Sequence, residues 1–503
     1  MKLRRLHPLA VILAAGLVLR VLAMVAMTPA WLGFSDSASY VAQALAPSPW
    51  VEHPLHPIGY SVFLEALHAV WSDLALVSIA QHLLGLCTAA VMYATVRRLG
   101  GPRWAAAIPA GLVALSVDYV FGEHTPLTET LYLFLLSLAL LCAACALAPG
   151  RRGGPVAWLA ASGALLALAT FIRPVALFVV PVVAGVALLA VPRPWRRRLA
   201  AAGTLAVTLG ALLVGYSAVQ HAQTGYFGIS QGLGWGLYGR AAPFADCSRF
   251  TPPKGTEGLC ETSDWRTRYG LGFYWWDPQS PARRLFVGPP YNDKLVGSFG
   301  RAAILHQPGL YARAVAKDLV HYAFPSVGYD RPGASLGPGF YTFPAAPMPP
   351  RYDTGPFAEY YGPVTVHRSG GVLDALGTVQ RVVRLHGVLL VLALALVAAG
   401  LVWARGLRRW GIVLLGGSAL MQLVLQVALL NYDYRYELPA VPALVAAAAL
   451  AAAAVAERAR RRSAALDAAG APTPRRGDGA PPRTPGRPDR RRAAARSGPG
   501  LRP

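Results

Sequence analysis

Apolar residues in this chain come in long runs rather than in alternation with polar ones. Stretches near residues 9–31, 74–96, 104–120, 129–148, 156–172, 174–191, 199–219, 386–404, 410–430 and 438–456 are almost free of charge. Several reach the ~20 residues that carry a helix across the hydrocarbon core of a bilayer. Ten spans are predicted, the fifth and sixth nearly continuous around Arg173-Pro174. Between the seventh and eighth the pattern dissolves. Residues 220–385 are rich in Gly, Pro, Trp and Tyr, as in Gly272-Phe273-Tyr274-Trp275-Trp276, and show little clean period. Their aromatics suit either a sugar-binding platform or the core of a small lobe. After Glu457 large apolar residues nearly vanish, the composition of a disordered tail. The expected organisation is a transmembrane module over 1–219 with an external loop at 32–73, an extracytoplasmic loop or lobe over 220–385, C-terminal spans over 386–456, and a basic cytoplasmic tail over 457–503.

Charge orients this arrangement. Lys2/Arg4/Arg5, Arg97/Arg98/Arg103, Arg151/Arg152, Arg193/Arg196/Arg197/Arg198, Arg405/Arg408/Arg409 and the tail fall on alternate loops. Ten spans with both termini inside place every cluster on one face, the positive-inside pattern. Of 503 residues, 54% are hydrophobic and only 14% charged, with a mean hydropathy of +0.41, whereas soluble domains carry about a quarter charged residues. The formal charge of +23 therefore belongs to a multi-pass protein of the plasma (inner) membrane and not to a nucleic-acid binder. The tail, with 13 arginines against Glu457, Asp467, Asp478 and Asp489, is expected against anionic lipid headgroups. Cys87, Cys142 and Cys145 lie in apolar runs and read as small hydrophobes. Cys247 and Cys260 share the polar loop, and export of that loop favours a disulfide between them.

The opposite face collects the unusual polar residues: Asp36, Glu52, His53, His56, Glu65, Glu123, His124, Glu129, Arg173, Asp433, Arg435 and Glu437. That segregation points to an extracytoplasmic site. Asp36 follows the first span and reads either as a helix N-cap or as a carboxylate poised at the membrane surface. Two short interfacial helices are expected in 32–73, one after Asp36 and one around residues 61–67. His53 and His56 have ligand-like spacing, but the proline after each argues against a helical metal pair. Thr125 or Thr128 can cap the fourth span with Glu129 in its first turn, where the helix dipole favours an anion; Glu123 and His124 have no such explanation. Arg173, between two apolar runs, needs an anionic partner, and a lipid phosphate would meet that need. Arg20, inside the first span, must snorkel or pair internally.

In these motifs the chain resembles the GT-C superfamily of integral-membrane glycosyltransferases, the polyprenyl-phosphate-sugar dependent enzymes that include the family 39-like protein mannosyltransferases and the aminoarabinosyltransferases. The resemblance rests on Phe34-Ser35-Asp36-Ser37, His56-Pro57-Ile58-Gly59-Tyr60, the Leu-Thr-Glu-Thr-Leu element from Leu127 to Leu131, Arg173-Pro174, and Tyr434-Arg435-Tyr436-Glu437-Leu438-Pro439. It covers the first 220 residues well and the last spans loosely. It implies an all-α polytopic membrane fold, a GT-C-like bundle of about ten transmembrane helices with interfacial helices in the first external loop and a small extracytoplasmic lobe. It also implies inverting transfer of a hexose or pentose from a polyprenyl-phosphate donor to a glycan, lipid or protein acceptor of the cell envelope. Asp36 matches the catalytic carboxylate, and Glu123 and Glu129 are the candidates for the second acidic group. His53, His56, Tyr60, His124, Arg173, Arg435 and Tyr436 are the candidates for holding donor phosphate or substrate. A divalent metal ion remains open, since some relatives bind one and others work without. The alternatives are a transporter or flippase of a lipid-linked substrate, since polar residues near spans also mark substrate pathways, and a scaffold of the cell envelope.

Overall fold

Every one of the ten predicted apolar stretches carries helix in the computed structural model, which describes residues 7–32, 34–148, 154–264, 267–324, 339, 341–343, 355–384 and 387–470. The expectations about Lys2/Arg4/Arg5, the Arg151–Arg152 turn, parts of the long loop and the tail beyond residue 470 lie outside the described residues. The helices are α1 (Pro8–Ala26), α2 (Ser35–Leu45), α3 (Pro49–Glu52), α4 (Gly59–Val70), α5 (Ala75–Arg98), α6 (Arg103–Leu115), α7 (Val117–Glu123), α8 (Glu129–Leu147) and α9 (Pro155–Ile172). After a 3-10 turn over Pro174–Val179 come α10 (Val180–Ala190), α11 (Trp195–Thr224), α12 (Leu233–Ala241), α13 (Leu271–Trp276), α14 (Pro281–Leu285), α15 (Asp293–His306) and α16 (Pro308–Ala323). The rest are α17 (Pro356–Tyr361), α18 (Gly370–Val382), α19 (Val388–Trp403), α20 (Gly406–Leu429), α21 (Tyr434–Glu437) and α22 (Val441–Gly470).

Among the described residues seven helices are long and apolar enough to cross a membrane, and α6 with α7 makes an eighth span bent by 51°. Two shorter apolar helices, Pro174–Ala190 and Leu389–Trp403, occupy the sixth and eighth predicted stretches. The protein is an all-α polytopic membrane protein. The bend has local causes: Pro109 lies inside α6, and Ser116 stops α6 and caps α7 by accepting the Asp118 N–H at 3.3 Å. Proline at the first turn opens α1 and α9, where its missing N–H has no partner to lose. Gly225, at φ 74°, closes α11 in the left-handed conformation that its lack of a Cβ permits.

The body of the protein, Met1–Arg458, is one compact unit; from Ala459 a second unit begins, and within it only the end of α22 is described. In the body, α8 packs between α5 and α9, and α9 packs on α11. The two interfacial helices expected in 32–73 appear as α2 and α4, with the single turn α3 between them. Gln43 ties them together: its Oε1 accepts from Ser61 Oγ at 2.6 Å, and its Nε2 donates to the carbonyls of Pro49 and His56 at 3.0 and 3.2 Å.

The weakly periodic segment after α11 folds into short helices with a core of their own, built from Trp235, Tyr238, Tyr274 and Phe299. Its aromatics divide between two roles. Tyr274 is fully buried, whereas Trp276 is 56% exposed. Cys247 and Cys260 form a disulfide there, with Cα atoms 6.0 Å apart. Beyond this lobe α17 packs on α2, and a two-residue strand β2 (His367–Arg368) pairs antiparallel with β1 (Met27–Thr28).

Candidate active site

Four charged side chains from four separate places in the chain meet at one end of the bundle. Asp36 lies in the first turn of α2, but Phe34 is the N-cap residue. The cap expected as the bland role of Asp36 is therefore not what its carboxylate does. Oδ2 lies 2.6 Å from Arg435 Nη2. Arg435 sits in α21, a single turn capped by Asp433, whose Oδ1 accepts the Arg435 N–H at 3.1 Å. Arg435 Nε is 3.7 Å from Glu129 Oε1. Glu129 opens α8 and forms an ion pair with Arg173, which stands where α9 ends and the 3-10 turn begins. Arg173 Nη1 also donates to Thr128 Oγ1 at 3.1 Å. Thr128 occupies the N-cap position but makes no side-chain cap, because its hydroxyl is turned to this ion pair. Both guanidiniums lie over one ring, Tyr436, at 5.3 and 5.4 Å from its centroid.

Asp433 is further held by Tyr341, whose hydroxyl donates to Oδ1 at 2.7 Å and whose ring stacks on Phe34 at 5.0 Å. One residue of the long segment thus links the turn that carries Arg435 to the start of the helix that carries Asp36. On the other side of Asp36, His56 stands between Tyr40 and His53, with ring centroids at 4.7 and 4.2 Å. The Nδ1 atoms of both histidines are buried without a hydrogen-bond partner.

Electrostatics differentiate these groups. Burial resists ionisation of Asp36, but Arg435, His56 and Arg173 outweigh it and hold its carboxyl at about 2. Burial pushes Asp433 up to about 6, against the pull of Arg435 and the Tyr341 hydroxyl. Burial pushes His56 down to about 3 despite the nearby Asp36, and lowers His53 as well. Burial thus disfavours the charged form of both imidazoles. The guanidiniums beside Asp36 and Glu129 are those of Arg435 and Arg173. The donor set does not fit a divalent ion. Among the described residues no group of three or more His, Cys, Asp and Glu is arranged to hold a metal, and both site carboxylates are already engaged by guanidinium.

Of the remaining candidates, Tyr60 packs edge-on against Tyr40 at 5.0 Å, and Glu123 and His124 belong to a second cluster. Glu123, His124 and Tyr60 are buried. Glu123 Oε1 accepts from Arg20 Nη2 at 2.6 Å, and Oε2 lies 2.9 Å from His82 Nδ1. His82 Nε2 lies 3.2 Å from His124 Nδ1. Arg20, which had to snorkel or pair, pairs: its other N–H groups go to the carbonyls of His82, Gly16, Ala114 and Val113. Two of those carbonyls, Val113 and Ala114, stand at the end of α6, where the bend leaves them short of helical partners. Tyr60 is a strut, its hydroxyl donating to Gln81 at 2.9 Å, while Gln81 donates to the carbonyls of Glu123 and Thr125. An apolar crevice does reach from Glu123 to Glu129, lined by Gly85, Thr88, Leu133 and Leu438.

Sequence reasoning overlooked Tyr40 and Tyr341, and also a buried network in which Gln380 Nε2 and Arg384 Nε reach Asp118 Oδ1 at 2.9 and 3.1 Å. Tyr40 carried a detectable signal, sitting one helical turn from Asp36. Tyr341 carried none, being some 300 residues from the helix it braces.

The family model described as Predicted membrane protein (DUF2339) matches residues 126–472, more than half of the chain, and the chain belongs to that family. No curated protein matches it. Among solved structures, the apo oligosaccharyltransferase of Archaeoglobus fulgidus is similar with a TM-score of 0.44 and 16% identity over 94% of this chain and 53% of that one. The oligosaccharyltransferase AglB of Archaeoglobus fulgidus in complex with an inhibitory peptide and a dolichol-phosphate gives 0.41 and 14% identity over 94% and 53%. ArnT of Cupriavidus metallidurans bound to undecaprenyl phosphate gives 0.34 and 14% identity over 93% and 81%. The chain spans about half the length of the archaeal enzymes it matches.

Proposed function

We propose that this member of the Predicted membrane protein (DUF2339) family is a glycosyltransferase that moves a sugar from a polyprenyl-phosphate donor to an acceptor hydroxyl at the extracytoplasmic face of the plasma membrane. The observation that carries this reading is the quartet of Asp36, Arg435, Glu129 and Arg173 around Tyr436. Two guanidiniums side by side suit one phosphate, because each presents a planar fork of donors. They are mounted where helices end, which is where a lipid headgroup lies. Asp36 is the carboxylate at the open edge of the quartet.

The chemistry follows from these positions. The donor phosphate lies against Arg173 and Arg435. Asp36 accepts the proton of the acceptor hydroxyl as its oxygen bonds to the anomeric carbon. The bond from that carbon to the phosphate oxygen breaks, and its electron pair stays with the departing polyprenyl phosphate. Attack from the face opposite the phosphate inverts the anomeric centre. The second negative charge developing on the leaving phosphate is met by the two arginines, which are already in place and need not reorganise. Glu129 holds Arg173 and is the second acidic group of this reading; Glu123 is not. No step requires a metal ion.

Purified full-length protein supplied with polyprenyl-phosphate sugars should release polyprenyl phosphate and glycosylate an acceptor. Mass spectrometry of lipid-linked glycans and cell-envelope polymers from a deletion strain would identify the pair. Turnover by Asp36→Asn at the wild-type rate would remove the reading. Sidedness has its own check: single cysteines at Gly255 and Gly479 should label from opposite sides of the membrane.

A further inference from the structure

The quartet poses a problem for the reaction just proposed. The group that takes the acceptor proton is spent on a salt bridge, Asp36 Oδ2 to Arg435 Nη2 at 2.6 Å. A carboxylate held at about 2 by Arg435, His56 and Arg173 against its own burial is a poor base, since general-base catalysis works best with a pKa near the working pH. The charges of the four groups also cancel, two guanidiniums against two carboxylates. An incoming phosphodiester adds a fifth, and to be bound it must draw a guanidinium away from a carboxylate.

The structure indicates which pair yields. Glu129 is held by Arg173 and lies within 3.7 Å of Arg435, and its side chain is only 7% exposed. Arg173 is anchored a second time by Thr128. Asp36 is the most open of the four, at 28% of its side chain. Arg435 Nε is buried with no hydrogen-bond partner, so one donor of that guanidinium is already unspent. Its backbone will not drift in the exchange, because Asp433 caps the turn that carries it.

We infer that the donor phosphate displaces Asp36 from Arg435, and that this exchange of anions turns Asp36 from a counter-ion into the general base. Donor binding then precedes proton removal, and the enzyme does not activate water or acceptor while the donor is missing. The inference rests on the glycosyltransferase reading and adds an obligatory order to it. The groups facing Asp36 are Arg435, Arg173, His53, His56, Tyr40 and Tyr436; of these only Arg435 forms an ion pair with it.

The test is binding of undecaprenyl phosphate to purified full-length protein in nanodiscs, followed by native mass spectrometry. Asp36→Asn removes the competing anion and should bind about tenfold tighter or more than wild type, a gain of about 1.4 kcal/mol. Asp36→Ala should show the same gain, which separates loss of charge from any new contact made by the amide. Equal or weaker binding by both variants overturns the exchange. In wild type, kcat should show an acid limb that kcat/KM for the donor lacks, because the first reports the donor-bound enzyme and the second the free enzyme. The same limb in both profiles also overturns it. The two ideas fail separately. Tighter binding by Asp36→Asn with transfer retained removes the base and keeps the competition; lost transfer with unchanged binding keeps the base and removes the exchange.

Discussion

The protein contains two clusters built from the same parts, arginine, glutamate and histidine, and they differ in how open they are to solvent. In the Arg20 cluster every guanidinium N–H has an acceptor and both oxygens of Glu123 are engaged, while His124 Nε2 is left without a partner. Arg20 and Glu123 are buried at 2%. In the Asp36 cluster Arg435 Nε and the Nδ1 atoms of His53 and His56 are left over, and Asp36 reaches solvent. Buried polar groups without partners cost stability, and both clusters carry some. The Arg20 cluster closes a bent span; the Asp36 cluster is the more open of the two. Charge inside a membrane protein commonly marks function, and here the deeper charge also ties together α1, α5 and the bend between α6 and α7.

The sharpest way to break this comparison is to remove one charged group from each cluster. Asp36→Asn should lower sugar transfer by about 10²–10⁴-fold, the usual worth of a general base, with yield and unfolding temperature retained. Arg20→Met should do the reverse, costing about 3–5 kcal/mol in a detergent unfolding assay because buried Glu123 loses its guanidinium partner and keeps only His82. A folded Arg20→Met protein without transfer activity would move Glu123 back into the active site. Gly85→Ala probes how tightly the closed cluster fits, since a Cβ there would overlap Glu123 Oε1. A loss of about 1–3 kcal/mol is expected from such overpacking, again measured by unfolding. The smallest effect concerns Asp433. Its folded carboxyl lies near 6, above the ordinary 3.8, with burial the main cause. The stability it contributes is therefore fully present below about pH 4 and is lost as pH rises through 6. Asp433→Asn should flatten that part of the stability profile, as read by unfolding temperature from pH 4 to 7.

The sequence by itself determined the helical membrane architecture, because a run of apolar residues long enough to cross a bilayer has one economical fold: helix satisfies its backbone within the segment. It also determined which residues could carry chemistry at the helix ends. Asp36, Glu129, Arg173 and Arg435 all stand out against apolar surroundings, and all four meet. What it did not determine is which of the conspicuous residues belong together. Glu123 and Glu129 are six positions apart and looked equivalent, but the bend between α6 and α7 turns one toward Arg20 and leaves the other to Arg173. Tyr60 and His124 looked as available as Arg435 and are buried as struts. Tyr341 offered no local sign of its place between Phe34 and Asp433, since nothing near it in the chain depends on that contact. Periodicity and composition report how a segment meets its solvent; the pairing of charges is a property of helix ends brought together across hundreds of residues, and only the packing of the spans decides it.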